Sequence, residues 1–155
     1  MPTACTTAWT TTAKGGFYWA GAYATDKFVV IGTDDGDGGY TSDTAKLLIL
    51  NPENGEVVSS IENIHGDIRS SIAYDKATNK VYFTTKAGYF YSVSIDWATG
   101  AIDTASLKYI DLGGMSTSTP VVYNGRAYIG VAGTGQFVPY SGHNISVVDL
   151  ASWTV

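Results

Sequence analysis

The chain has 155 residues, a net charge of −5, and a composition that is 45% hydrophobic, 13% aromatic and only 15% charged. Negative charge without a Lys/Arg cluster argues against nucleic acid as a partner, because binding phosphates takes clustered cations. No run reaches the roughly 18 apolar residues of a spanning helix, so no membrane insertion is expected, and the single cysteine, Cys5, permits no internal disulfide.

The opening Met1-Pro2-Thr3-Ala4 carries neither the basic start nor the apolar core of a secretory signal. Residues 4–12 (ACTTAWTTT) form a β-prone run that belongs to no larger unit. Strand-like runs follow near 17–23, 27–33, 45–51 and 56–62, then near 68–74, 80–86, 89–96 and 101–112. Within the second set, Val93 and Ile95 alternate with Ser92 and Ser94, the period of a strand with one buried face. Asp75-Lys76-Ala77-Thr78-Asn79 and Lys86-Ala87-Gly88 read as hairpin loops. A third set runs near 117–123, 126–132 and 143–149, with no fourth member. No stretch sustains helical periodicity.

The sets repeat. Ala22-Tyr23, Ala73-Tyr74 and Val122-Tyr123 recur about every 50 residues, as do Asn51, Asp96 and Asp149. Gly55 and Gly100 each close a tight turn after the first two of these, and Trp153 stands at that place in the third. Four antiparallel strands per repeat of this length is the signature of a β-propeller blade. The expectation is an all-β fold: one partial propeller domain over 1–155, with blades at about 17–63, 64–112 and 113–155. Three blades span too little arc to close a ring. The spare strand 4–12 is expected to complete the third blade of a second copy, which gives a homodimeric six-bladed ring and self-association through open blade edges.

Val121-Val122-Tyr123-Asn124-Gly125-Arg126-Ala127-Tyr128-Ile129-Gly130, and Ser94-Ile95-Asp96 followed by Ala98-Thr99-Gly100, resemble blades of the quinoprotein (PQQ-like) propeller superfamily. The segment from Gly15 to Ala22 resembles propeller segments of large Gram-positive bacterial surface proteins. The resemblance implies a secreted or cell-surface location, with no export signal within these residues. No tryptophan follows Gly55 or Gly100 at the place where quinoprotein dehydrogenases carry one to dock their blades. The resemblance therefore implies the fold without the activity.

In a propeller the loops after second and fourth strands share one face. Here that face holds the long loops 34–44 and 132–142 and the connections 63–67 and 113–116. Long loops on a rigid scaffold are where binding resides. His65, Asp67, Arg69, Tyr140 and His143 are the expected ligand-binding residues. Asp34-Asp35-Gly36-Asp37 resembles half of a calcium loop, with Asp34, Asp35 and Asp37 as candidate ligands. The twelfth position counted from Asp35 is Lys46 rather than Glu, so the loop is no EF-hand and reads first as a solvated acidic turn. Beyond calcium no cofactor is expected. Phe17, Tyr18 and Trp19 are read as packing between blades, with sugar stacking as the alternative. No acid–base pair, nucleophile elbow or zinc spacing converges, so no catalytic residue is assigned. The functional expectation is a non-catalytic binding or scaffold module that contacts a glycan, a peptide or a neighbouring domain. The alternative is part of a propeller enzyme, such as a quinoprotein-like dehydrogenase or a polysaccharide-degrading enzyme.

Overall fold

The computed structural model describes residues 6–36, 42–132 and 144–155. Three antiparallel sheets follow one another along the chain. Blade 1 has β1 (Tyr23–Ala24), β2 (Val29–Gly32), β3 (Ala45–Leu50) and β4 (Val57–Ile64) in sequence order. Blade 2 has β5 (Ala73–Asp75), β6 (Lys80–Thr84), β7 (Tyr89–Asp96) and β8 (Ala101–Asp111), again in order. Blade 3 has β9 (Val121–Tyr123), β10 (Arg126–Val131) and β11 (Asn144–Asp149). These are the three units expected from the repeat.

The innermost strands are shorter than their sequence runs. The reason is visible in blade 2, where the Ser70 hydroxyl accepts from Thr84 N at 2.9 Å and donates to Thr84 O at 3.3 Å. A side chain thus takes the place of a backbone partner, and the ladder with β6 begins only at Ala73. The freed backbone reaches across instead. Ile68 N donates to Thr33 O and Ile72 N to Gly21 O, both at 3.1 Å, which ties blade 2 to blade 1.

The central strands of blade 2 are buried on both sides because that blade lies between the other two. In blade 2, Val81, Phe83, Tyr91, Val93 and Ile95 join a core with Val30, Leu47 and Ile49 of blade 1. Tyr82 and Phe90 point the other way, into a core with Ala127, Ile129 and Val148 of blade 3. Phe83 and Tyr91 face each other across β6 and β7 and stack at 5.1 Å, whereas Tyr82 and Phe90 are diagonal neighbours on the other side and stack at 5.7 Å.

The turns between third and fourth strands are built alike. Gly55 N, Gly100 N and Trp153 N donate to Asn51 O, Asp96 O and Asp149 O at 2.9, 2.7 and 2.8 Å. The closing residue has positive φ in all three: 73° at Gly55, 77° at Gly100 and 58° at Trp153. The conformation therefore survives where the glycine does not. The Trp153 ring stacks on Phe90 at 5.3 Å, and its Nε1 donates to Tyr109 O at 3.1 Å.

Residues 6–12, expected as a strand, form none in this chain. They lie against blade 1 rather than blade 3. Trp9 Nε1 donates to Pro52 O at 2.8 Å, and the Thr11 hydroxyl donates to Gly55 O.

A pair of glycines isolates the contact between blades 1 and 2. A Cβ on Gly100 would meet Phe28 Cε1 at 2.7 Å, whereas one on Gly125 (φ 74°) would meet nothing within 4 Å. Gly125→Ala should cost only the left-handed backbone penalty, roughly 1–2 kcal/mol. Gly100→Ala should cost that and about 1–3 kcal/mol more from the clash. Denaturant midpoints measure both, and equal losses would mean that Phe28 does not press on this turn.

Candidate functional site

The site is where the loop entering blade 2 passes between the second-strand ends of blades 1 and 2. Thr33 and Thr85 end equivalent runs, so Asp34 and Lys86 occupy equivalent positions beyond them. Both side chains are buried, and Asp67 and Arg69 reach between them. Arg69 Nη2 lies 2.7 Å from Asp34 Oδ2 and 2.9 Å from Asp67 Oδ2, and Arg69 Nε donates to Asp34 Oδ1 at 3.3 Å. The second Asp67 oxygen accepts from Asp35 N at 3.0 Å, and the Asp67 carbonyl accepts from Lys86 N at 2.8 Å. The Asp35 carboxylate accepts from the Ser42 hydroxyl.

Burial decides the electrostatics here. It pushes the Asp34 carboxyl up, aided by the Asp67 and Asp35 charges and opposed by the hydrogen bond and charge of Arg69. It pulls the Lys86 ammonium down, aided by Arg69 and opposed by Asp67 and Asp34. Both shifts follow from ions held out of water in a network whose members mostly face one another.

His65 goes elsewhere. Its Nδ1 lies 2.6 Å from Asp43 Oδ1, and its ring sits 5.0 Å from that of Tyr89 and 5.1 Å from that of Tyr109. His65 N donates to the Tyr91 hydroxyl at 3.1 Å. Burial drives the Tyr91 phenol well above its ordinary range, and Tyr89 is raised for the same first reason.

Several sequence readings change in detail. Asp34 and Asp35 belong to no solvated turn; their oxygens are spent on Arg69 and Ser42 because the loop folds inward between two blades. His65 and Asp67, two residues apart, take different partners. Arg69 is only 9% exposed, and its donors face Asp34 and Asp67. Among the described residues no group of three or more His, Cys, Asp or Glu side chains is placed to hold a metal ion. Asp37, Tyr140 and His143 lie outside the described residues. Sequence reasoning passed over Asp43 and Lys86, whose partners stand far away in the chain. It also buried Tyr18 and Trp19, which are 53% and 66% exposed above Arg69.

The fold is a partial β-propeller. A solved structure of BamB from Moraxella catarrhalis is similar to this chain, with a TM-score of 0.56 and 13% identity. The likeness covers 95% of this chain and 41% of the BamB chain, so this chain spans less than half of that propeller's length. The likeness speaks for the fold alone. No family model and no curated protein sequence matches the chain.

Removing one member of a buried ionic network leaves an uncompensated charge, at a cost of about 3–5 kcal/mol. Asp67 is 2% exposed and serves both blades. Asp67→Ala should lower unfolding free energy by that amount in a urea titration, whereas Asp43→Ala, at an exposed ion pair, should cost under about 1 kcal/mol. Equal costs would show that the network does not hold the blades together.

Proposed function

We propose that the chain is a non-catalytic binding or scaffold module of a secreted or cell-surface protein, and that it uses the loop face for contact. The observation that carries this reading is the Asp34–Arg69–Asp67 network. Its ionisable groups are spent on one another and on backbone donors, and a catalytic acid or base needs a group aimed at substrate. A rigid platform whose charged groups hold one another in place is what a docking surface uses. The test is binding of the purified chain to printed glycan and peptide arrays. Retained hits should disappear with His65→Ala and Asp43→Ala and survive Glu53→Ala and Thr99→Ala on the opposite face. The reverse pattern would place contact on the wrong face, and turnover of an arrayed glycan would replace the module with an enzyme.

A second property rests on a different observation. The Ser59 hydroxyl of β4 donates to Gly100 O at 2.5 Å, which seats the outer strand of blade 1 on the turn of blade 2. Thr11 makes the same bond to the equivalent carbonyl, Gly55 O. Residues 6–12 therefore hold the place of an outer strand belonging to a blade next to blade 1. Among the described residues, blade 3 exposes Val121, Tyr123 and Ile145, an apolar surface of the kind buried between the other blades. We propose that a second copy supplies the adjoining blade, its β11 pairing with residues 6–12, so that two copies form a six-bladed ring. Light scattering at micromolar concentration should report a dimer for the whole chain and a monomer for a variant lacking residues 1–13. A monomeric intact chain, or an unchanged dimer after deletion, would refute the strand exchange.

A further inference from the structure

Tyr18 and Trp19 stand out among the exposed aromatic residues because they lie over the blade 1–blade 2 network and not on an open flank. Their ring centroids are 4.9 Å apart with planes 36° from parallel, so the two rings form one shallow, bent surface. Arg69 holds that surface from below. Its guanidinium carbon lies 4.6 Å from the Tyr18 centroid and 5.5 Å from that of Trp19. The guanidinium is itself clamped by Asp34 and Asp67, so the rings rest on a fixed base.

The backbone is strained to present them. Trp19 has φ 62°, a left-handed conformation that costs a bulky residue roughly 1–2 kcal/mol. Folding alone would favour glycine there, with no penalty. A large side chain kept at a strained, exposed position is an observation that points to a ligand.

We infer that Tyr18 and Trp19 form a stacking platform for a neutral carbohydrate ring, which names the ligand class of the loop-face module proposed above and rests on that reading. The chemistry selects the class. A cation beneath the rings draws their electron density inward, which disfavours a second cation on the outer faces. A neutral pyranose lays its C–H face on an aromatic ring mainly by dispersion and apolar burial, so the withdrawn electron density costs it far less than it costs a cation, and it needs hydroxyl partners at its edge. Hydroxyl groups stand beside Gly21, two residues along the chain from Trp19. The Ser71 hydroxyl sits where a Cβ on Gly21 would fall, and Thr119, whose Oγ1 accepts from Ser71 N at 3.0 Å, follows one blade further around. Thr119 is exposed.

The test titrates the whole chain with cellohexaose, laminarihexaose, mannohexaose and xylohexaose, read by tryptophan fluorescence and calorimetry. At least one should bind, and Trp19→Ala should weaken it roughly tenfold, equivalent to about 1.4 kcal/mol. Tyr18→Ala should weaken it as well, while Tyr123→Ala on the blade 3 flank should leave it unchanged. Trp19→Gly separates binding from folding: relief of the strained φ should hold or raise the unfolding midpoint while affinity falls. A structural role for the indole gives the opposite result, a lower midpoint, and overturns the platform. Failure of all four sugars at millimolar concentration also overturns it, and so does a peptide whose capture depends on Trp19. Sugar binding that depends on His65 and Asp43 but not on Trp19 overturns the platform while the module reading stands.

Discussion

Asp67 is the residue on which the described structure turns. Its two carboxylate oxygens and its carbonyl reach Asp35 N, Arg69 and Lys86 N, which belong to the edges of two different blades. Blades 1 and 2 share a large apolar core, but apolar faces slide. Directional bonds to one buried carboxylate fix their angle. The arrangement costs desolvation, as the raised Asp34 and the lowered Lys86 record. In some proteins buried networks of this kind contribute specificity of geometry more than net stability.

That geometry propagates outward through a repeated contact. Each turn after a third strand seats on an outer strand of the blade before it, through Ser59 to Gly100 O and through Trp153 Nε1 to Tyr109 O. Residues 9–11 make the first contact in the series, with Pro52 and Gly55. The blades thus lock at two radii, by polar bonds near the entering loops and by turn-on-strand packing at the rim. Between them lie the two-sided strands, whose alternate residues serve different neighbours.

The strands, the turns and the repeat were legible because they are local. β-prone composition, the alternation around Val93 and Ile95, and the repeat placed β6, β7, β10 and β11 within a residue or two, and Asn51, Asp96 and Asp149 mark the turns after the third strands by side-chain bonds to Glu53 N, Ala98 N and Ala151 N. The first strands came out too long, since nothing in a run such as Arg69 to Tyr74 says that the Ser70 hydroxyl will replace a ladder partner. Asp34, Asp67 and Arg69 each stood out in the sequence as single loop residues, but not as a network. Arg69 reaches back 35 residues to Asp34, and His65 22 residues to Asp43, distances at which sequence carries no pairing signal. Acidic loop composition also pointed to solvent, whereas the protein had cations waiting inside.

Trp153 and Trp19 show how local rules yield in two different ways. Both are tryptophans with positive φ, near 60°, where glycine would be relaxed. Trp153 recovers the cost within the fold: its ring stacks on Phe90 and its indole nitrogen bonds to β8, so the strain is exchanged for contact between blades 2 and 3. Trp19 has a smaller internal return. Its ring touches Tyr18 and the Arg69 guanidinium, and two thirds of its surface stays in water. The same backbone penalty therefore has a structural explanation at one site and only part of one at the other. The remainder at Trp19 is the reason to look for a ligand there and not at Trp153.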